Sequence, residues 1–249
     1  MIEQQRLSLE TTMTSRAQKP ELIASVAHTV RLICILAVCV GVELIARRLP
    51  HHAGSGTAAR RLMAGFYISM ILSEWALVFG VWRGIRKRGN CLQDLIGGRW
   101  NTWQKIAVDV VLSLGLGVVC LSLLMGLSFA SRSFMGERQT HVANPMLPHG
   151  SLETLLWVGL SLTAGFCEEL AFRGYFQKQF QAMTGSVAVA LFAQALIFGL
   201  LHIYEGIFLA IMITGFGVLF GLMAHWRRSL RPGMLAHAGW DLVAMVLLR

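Results

Sequence analysis

Apolar residues fill this chain in blocks of about twenty, separated by short stretches rich in arginine, lysine, glycine and proline. A helix needs roughly 20 apolar residues to cross a bilayer core. The pattern predicts spans over about 29–46, 62–82, 106–130, 152–180, 186–204, 206–225 and 232–248. The expected fold is therefore all-α, a polytopic membrane bundle of about seven helices, within a range of six to eight. Residues 1–28 are polar, carry Arg6, Arg16 and Lys19, and lack an early apolar core. That argues against a cleavable signal peptide and reads as a cytoplasmic tail. Residues 29–149 then hold membrane helices without a recognisable motif, and residues 150–249 hold a second group studded with ionisable side chains.

Composition strengthens this picture. The chain is 55% hydrophobic and 14% charged, with mean hydropathy +0.59, whereas soluble domains carry about 25% charged residues. The formal charge of +9 follows from lysine and arginine gathering in cytoplasmic loops, and no nucleic-acid-binding motif is present. Most of these residues fall on the inner side if the N-terminus is cytoplasmic. Arg47, Arg48, Arg60 and Arg61 conflict with that count and point to an unread hairpin or interfacial helix. The cluster Arg83, Arg86, Lys87 and Arg88 reads as a cytoplasmic retention signal. Absence of a repeat between the halves speaks against a transporter built on inverted repeats. Five cysteines, an odd number set mostly in apolar runs, suit packing better than a disulfide framework. Only Cys167, beside an acid, is a nucleophile candidate.

Ionisable groups in hydrocarbon are costly and mark functional sites. Glu168 and Glu169 are adjacent, and Arg173 follows Glu169 by four residues. Residues four apart share a helix face, so Arg173 is expected to hold Glu169 in an ion pair. Glu168 lies about 100° further round and is free to point elsewhere. His202 ends the fifth block one turn after Phe198, and His237 and Asp241 share a face of the last. A local His237–Asp241 hydrogen bond is the plainest reading of that pair. Convergence of Glu168, His202, His237 and Asp241 on one pocket lets each satisfy the others. It requires the fifth helix to enter the membrane nearer Ala190 than Thr184, which brings His202 to the depth of the other groups. Glu74 and Asp109 are further buried acids without an evident partner.

A carboxylate and a histidine can deprotonate a water, and a second histidine with a polar neighbour can stabilise the oxyanion formed at an amide. Peptide hydrolysis inside the membrane follows. Zinc held by Glu168, His202 and His237 is the rival account, although no H-E-x-x-H pattern occurs.

Glu168-Glu169-x-x-x-Arg173, Phe198-x-x-x-His202 and His237-x-x-x-Asp241, in that order, resemble the CPBP family over about residues 150–249. That family includes type II CAAX prenyl endopeptidases, bacteriocin-processing and immunity proteins, and lysostaphin-resistance proteins. The resemblance implies a bacterial plasma-membrane endopeptidase acting on a peptide or membrane-protein segment, with no cofactor. In it Glu168 and His202 activate water, His237 and Asp241 line the oxyanion site, and Glu169 and Arg173 order the site. Eukaryotic prenyl proteases have asparagine where this chain has Asp241. An ionised aspartate repels an oxyanion, so Asp241 is expected to be protonated or to orient His237, and prenylated CAAX substrates are in question. Two other functions fit the same residues: a non-catalytic scaffold or immunity protein, and a proton-coupled transporter using Glu74 and Asp109.

Overall fold

A computed structural model describes residues 21–46, 57–135, 147–148 and 150–247. The described residues form helices and no strand: α1 Val26–Ala46, α2 Thr57–Arg86, α3 Leu92–Ile96, α4 Trp103–Met135, α5 Ser151–Glu168, α6 Gln177–Thr184, α7 Val187–Leu201, α8 Ile207–Arg227 and α9 Arg231–Leu247. A π-helical segment, Glu169–Phe176, joins α5 to α6 without a break, and a 3₁₀ turn, Ile203–Glu205, follows α7. The expectations for residues 1–20, for Arg47 and Arg48, and for most of the 131–150 loop lie outside the described residues.

Among the described residues four stretches are long and apolar enough to cross a membrane: Arg61–Arg86, Trp103–Ala130, Ser151–Thr184 and Ile207–Arg227. Val26–Val42 and Val187–Leu201 are shorter apolar helices, and α9 has 17 residues. The molecule is a helical membrane bundle. Large apolar side chains on its outer surface, such as Leu72, Val111, Leu114, Phe129 and Phe192, are exposed, as expected where lipid rather than protein covers a helix face.

The post of the bundle is the continuous 34-residue stretch Ser151–Thr184. Its polar side chains tie it to several other elements. The Gln179 side chain, fully buried, accepts from the main-chain N–H of Ile23 and Ala24 and donates to the Ala24 carbonyl. Tyr175 and Thr29 share a buried hydroxyl hydrogen bond of 2.9 Å. Gln177 donates to the Gly221 carbonyl in α8. Lys178 donates to the carbonyls of Asp94 and Leu95, neutralising the end of α3 where helical carbonyls lack partners. These bonds satisfy polar groups that hydrocarbon would otherwise leave unpaired.

The short helix α3 has no counterpart among the predicted spans. It lies between α2 and α4 and docks on the α8–α9 turn. Leu230 donates to the Ile96 carbonyl at 2.8 Å, Gly97 pairs with Ser229, and Arg231 bonds the Gly97 carbonyl. Asp109 likewise gains partners that its sequence neighbourhood does not supply. It is buried, pairs with Arg227 at 2.9 Å and accepts from the Trp100 indole at 2.8 Å. It joins α4 to the end of α8 and is a structural acid.

α2 packs on α5 through Tyr67, Ile71, Glu74, Val78, Val81 and Ile85, alternating four and three residues apart. Such spacing makes one continuous stripe on a helix. Tyr67, Val78, Val81 and Ile85 are buried in it. Tyr67 meets Trp157 edge-on at 6.0 Å, and Trp75 lies 5.8 Å from Phe166. Across the other side of α5, α9 approaches closely at Gly165. A β-carbon there would stand 2.7 Å from the Ala238 nitrogen and 2.9 Å from the Met234 carbonyl oxygen. Backbone atoms cannot yield as a flexible side chain can. Gly165→Ala is therefore expected to push α9 outward, at about 1–3 kcal/mol for overpacking, and to lower the thermal unfolding temperature of the purified protein in detergent.

Candidate active site

Glu168 closes α5 and Glu169 opens the π segment, all eight residues of which are buried. The wider turn is visible where the Gln177 N–H reaches the Phe172 carbonyl, five residues back. π turns inside α-helices recur at functional sites, and this one begins between the only consecutive acids in the post.

Arg173 and Glu169 pair as their spacing predicted, with Nη1 2.9 Å from Oε1 and both side chains almost wholly buried. The approach is off the N–H axis, and Nε and Nη1 make no aligned hydrogen bond. Aromatic faces stand in their place. The guanidinium lies 4.3 Å from the Phe198 ring centre and 5.3 Å from that of Phe220, within range of cation–π attraction.

His237 comes from α9 and reaches both acids. Its Nδ1 lies 3.1 Å from Glu169 Oε1. A carboxylate accepts, so Nδ1 carries the proton and donates. Nε2 then faces Glu168 Oε2 at 3.4 Å and Asp241 Oδ2 at 4.0 Å. The local His237–Asp241 hydrogen bond is not formed, since 4.0 Å exceeds any hydrogen-bond distance. Glu169 of the neighbouring helix has taken that role, because the close α5–α9 approach at Gly165 brings the imidazole onto the acids. Asp241 stays on the Nε2 side as a charged neighbour, 30% exposed, while its main-chain carbonyl accepts from the Trp157 indole.

His202 stands at the C-terminal end of α7. The helix starts at Val187, capped by the Ser186 hydroxyl. The chain leaves the helix through the 3₁₀ turn and Gly206, whose φ of 114° suits only glycine. His202 Nδ1 lies 2.9 Å from the Phe198 carbonyl. A carbonyl can only accept, so Nδ1 holds the proton and Nε2 is the basic nitrogen. No hydrogen bond or ion pair joins His202 to Glu168. Phe198 links the two histidines, its ring 5.0 Å from that of His202 and 6.0 Å from that of His237.

Cys167 is wholly buried in the apolar core, with no access for a substrate. Among the described residues no group of three or more His, Cys, Asp or Glu side chains is arranged to hold a metal ion. Glu168, His202 and His237, the set a zinc site would need, do not form one.

The sequence left Glu74 without a partner. In the structure the α2–α5 packing sets its carboxyl beside that of Glu168, and the Oε2 of each is closed off from solvent without a hydrogen-bond partner. The signal was available, since Glu74 is the one charged position in an otherwise apolar stripe, but nothing local indicates what it faces.

The model of the Rce1-like family, described as type II CAAX prenyl endopeptidase, matches residues 150–243. Neither the curated proteins nor the solved structures give a match. The matched segment begins at the start of α5, contains the π segment, α7, α8 and both histidines, and ends just past Asp241. Residues 150–243 of this chain, and the helices they form, are similar to the Rce1-like, CAAX-type protease family.

Proposed function

We propose that the protein is an intramembrane endopeptidase that hydrolyses a peptide bond of a membrane-associated protein or peptide. The observation that carries this reading is the junction at His237, where one imidazole from α9 meets Glu169 at 3.1 Å and Glu168 at 3.4 Å. The Glu168 carboxylate accepts a proton from water, and His202 Nε2, left unprotonated by the Nδ1 bond, helps to hold that water. Attack on the scissile carbonyl generates an oxyanion. His237 Nε2 can donate to it once the ring carries protons on both nitrogens. Glu169 and Arg173 fix the ring from the other side. Asp241 is a charge partner of His237 rather than an oxyanion donor.

The family match supports peptides ending in a prenylated cysteine motif as one substrate class. Leader-type peptides are the other, and the aspartate at 241 favours them. Clusters such as Arg83 to Arg88 support a cytoplasmic N-terminus in a bacterial plasma membrane.

The test is cleavage of internally quenched farnesylated and leader-type peptides by the purified protein in lipid nanodiscs. Asp241→Asn should lower kcat about tenfold, equivalent to ~1.4 kcal/mol of barrier. That lies between the ~1 kcal/mol of bulk water and the ~4 kcal/mol near a protein surface for unit charges 4 Å apart, as suits a partly exposed carboxylate. Full activity in this variant would make position 241 a hydrogen-bond donor. Failure of either peptide class to be cut would sink the corresponding substrate assignment.

A further inference from the structure

Glu74 lies in α2, outside the matched residues 150–243, and the reaction as described gives it no part. It sits at the centre of the stripe that presses α2 onto α5. Its neighbours fix that register: the Trp75 ring packs against Phe166, and the Ile71 side chain reaches Gly159 of α5. Glu74 Oε2 is closed off from solvent and meets no hydrogen-bond donor, and the same holds for Glu168 Oε2. The α2–α5 packing sets these two orphaned carboxyls side by side.

Two carboxylates cannot both stay ionised at contact in a water-poor site. A hydrogen bond between carboxyls also needs a proton on one of them, since ionised carboxylates only accept. Geometry decides which one. Glu168 has the His237 ring 3.4 Å away, a cationic partner for an ionised carboxylate once both ring nitrogens carry protons, whereas among the described residues no donor meets Glu74 Oε2. We propose that Glu74 is a positioning residue of the active site, holding a proton that it donates to Glu168 and so aiming the Glu168 carboxylate at His237. The inference rests on Glu168 being the base. It makes the N-terminal half of the chain part of the catalytic apparatus, because the third side of the site is supplied from α2. No bond is made or broken at Glu74. Its proton stays in place while Glu168 takes one from water.

Two measurements test this. The first is infrared absorption of the purified protein at neutral pH. The wild type should show the carbonyl stretch of a protonated carboxyl that is missing from Glu74→Gln and shifted in Glu168→Gln. An identical band in wild type and Glu74→Gln means that Glu74 is ionised, and overturns the proposal. The second is kcat on the quenched peptides. Glu74→Leu, which removes the donor, should lose on the order of 10–100-fold, the usual cost of removing an orienting partner, with KM little changed. Glu74→Gln keeps an N–H donor and should recover a large share of that loss. Equal losses in the two variants, at equal thermal stability, overturn the positioning role. If Glu168→Gln cuts as well as wild type, the hydrolytic reading fails, while the infrared comparison still decides whether the two acids share a proton.

Discussion

Glu168→Gln is expected to lower kcat for peptide cleavage by about 10²–10⁴-fold, the span typical of a lost general base. Glutamine keeps the volume and can still meet His237 at the 3.4 Å position, so the bundle should fold and unfold at nearly the wild-type temperature. It cannot take a proton from water. The loss should fall on kcat with little change in KM, because the carboxylate acts in the transition state and not in holding the substrate. The measurement is single-turnover cleavage of the quenched peptides in nanodiscs. A variant with normal expression and an unchanged biological phenotype would instead favour a scaffold that binds its partner through the same helices.

Arg173→Ala should be the most destabilising single change near the site. It removes the cation from a pair whose members are 1% and 0% exposed and strands the Glu169 charge in a dry interior, at about 3–5 kcal/mol. It also empties the space between the Phe198 and Phe220 rings, on which the guanidinium is stacked. Thermal unfolding in detergent should show the loss directly. The double variant Glu169→Gln with Arg173→Met provides the contrast. It removes both charges, keeps an acceptor for His237 Nδ1 and refills the space, so most of the stability should return. If the double variant unfolds as early as the single one, the damage comes from lost packing and not from an unpaired charge.

Much of this architecture can be read along the chain, because helix length and helix face are local properties. The apolar blocks placed α4, α8 and α9 to within a few residues, and the run through the acidic pair towards Phe180 is the 34-residue post. The Glu169–Arg173 pair was legible for the same reason, as four residues make about one turn. Features set by a single residue were not. The π segment differs from an α-helix by one residue per turn, and α3 has five residues, too few for any period to show.

The sequence by itself determined that the chain forms membrane-crossing helices and which side chains share a face, since both follow from hydropathy and a fixed rise and turn per residue. Only the tertiary structure decided the partners. His237 bonds Glu169 and not its own helix neighbour Asp241, Asp109 finds Arg227 118 positions away, and Glu74 lies against Glu168. Those choices depend on how closely and at what rotation two helices approach, and here that is set by contacts such as the one Gly165 permits. No local rule carries that information.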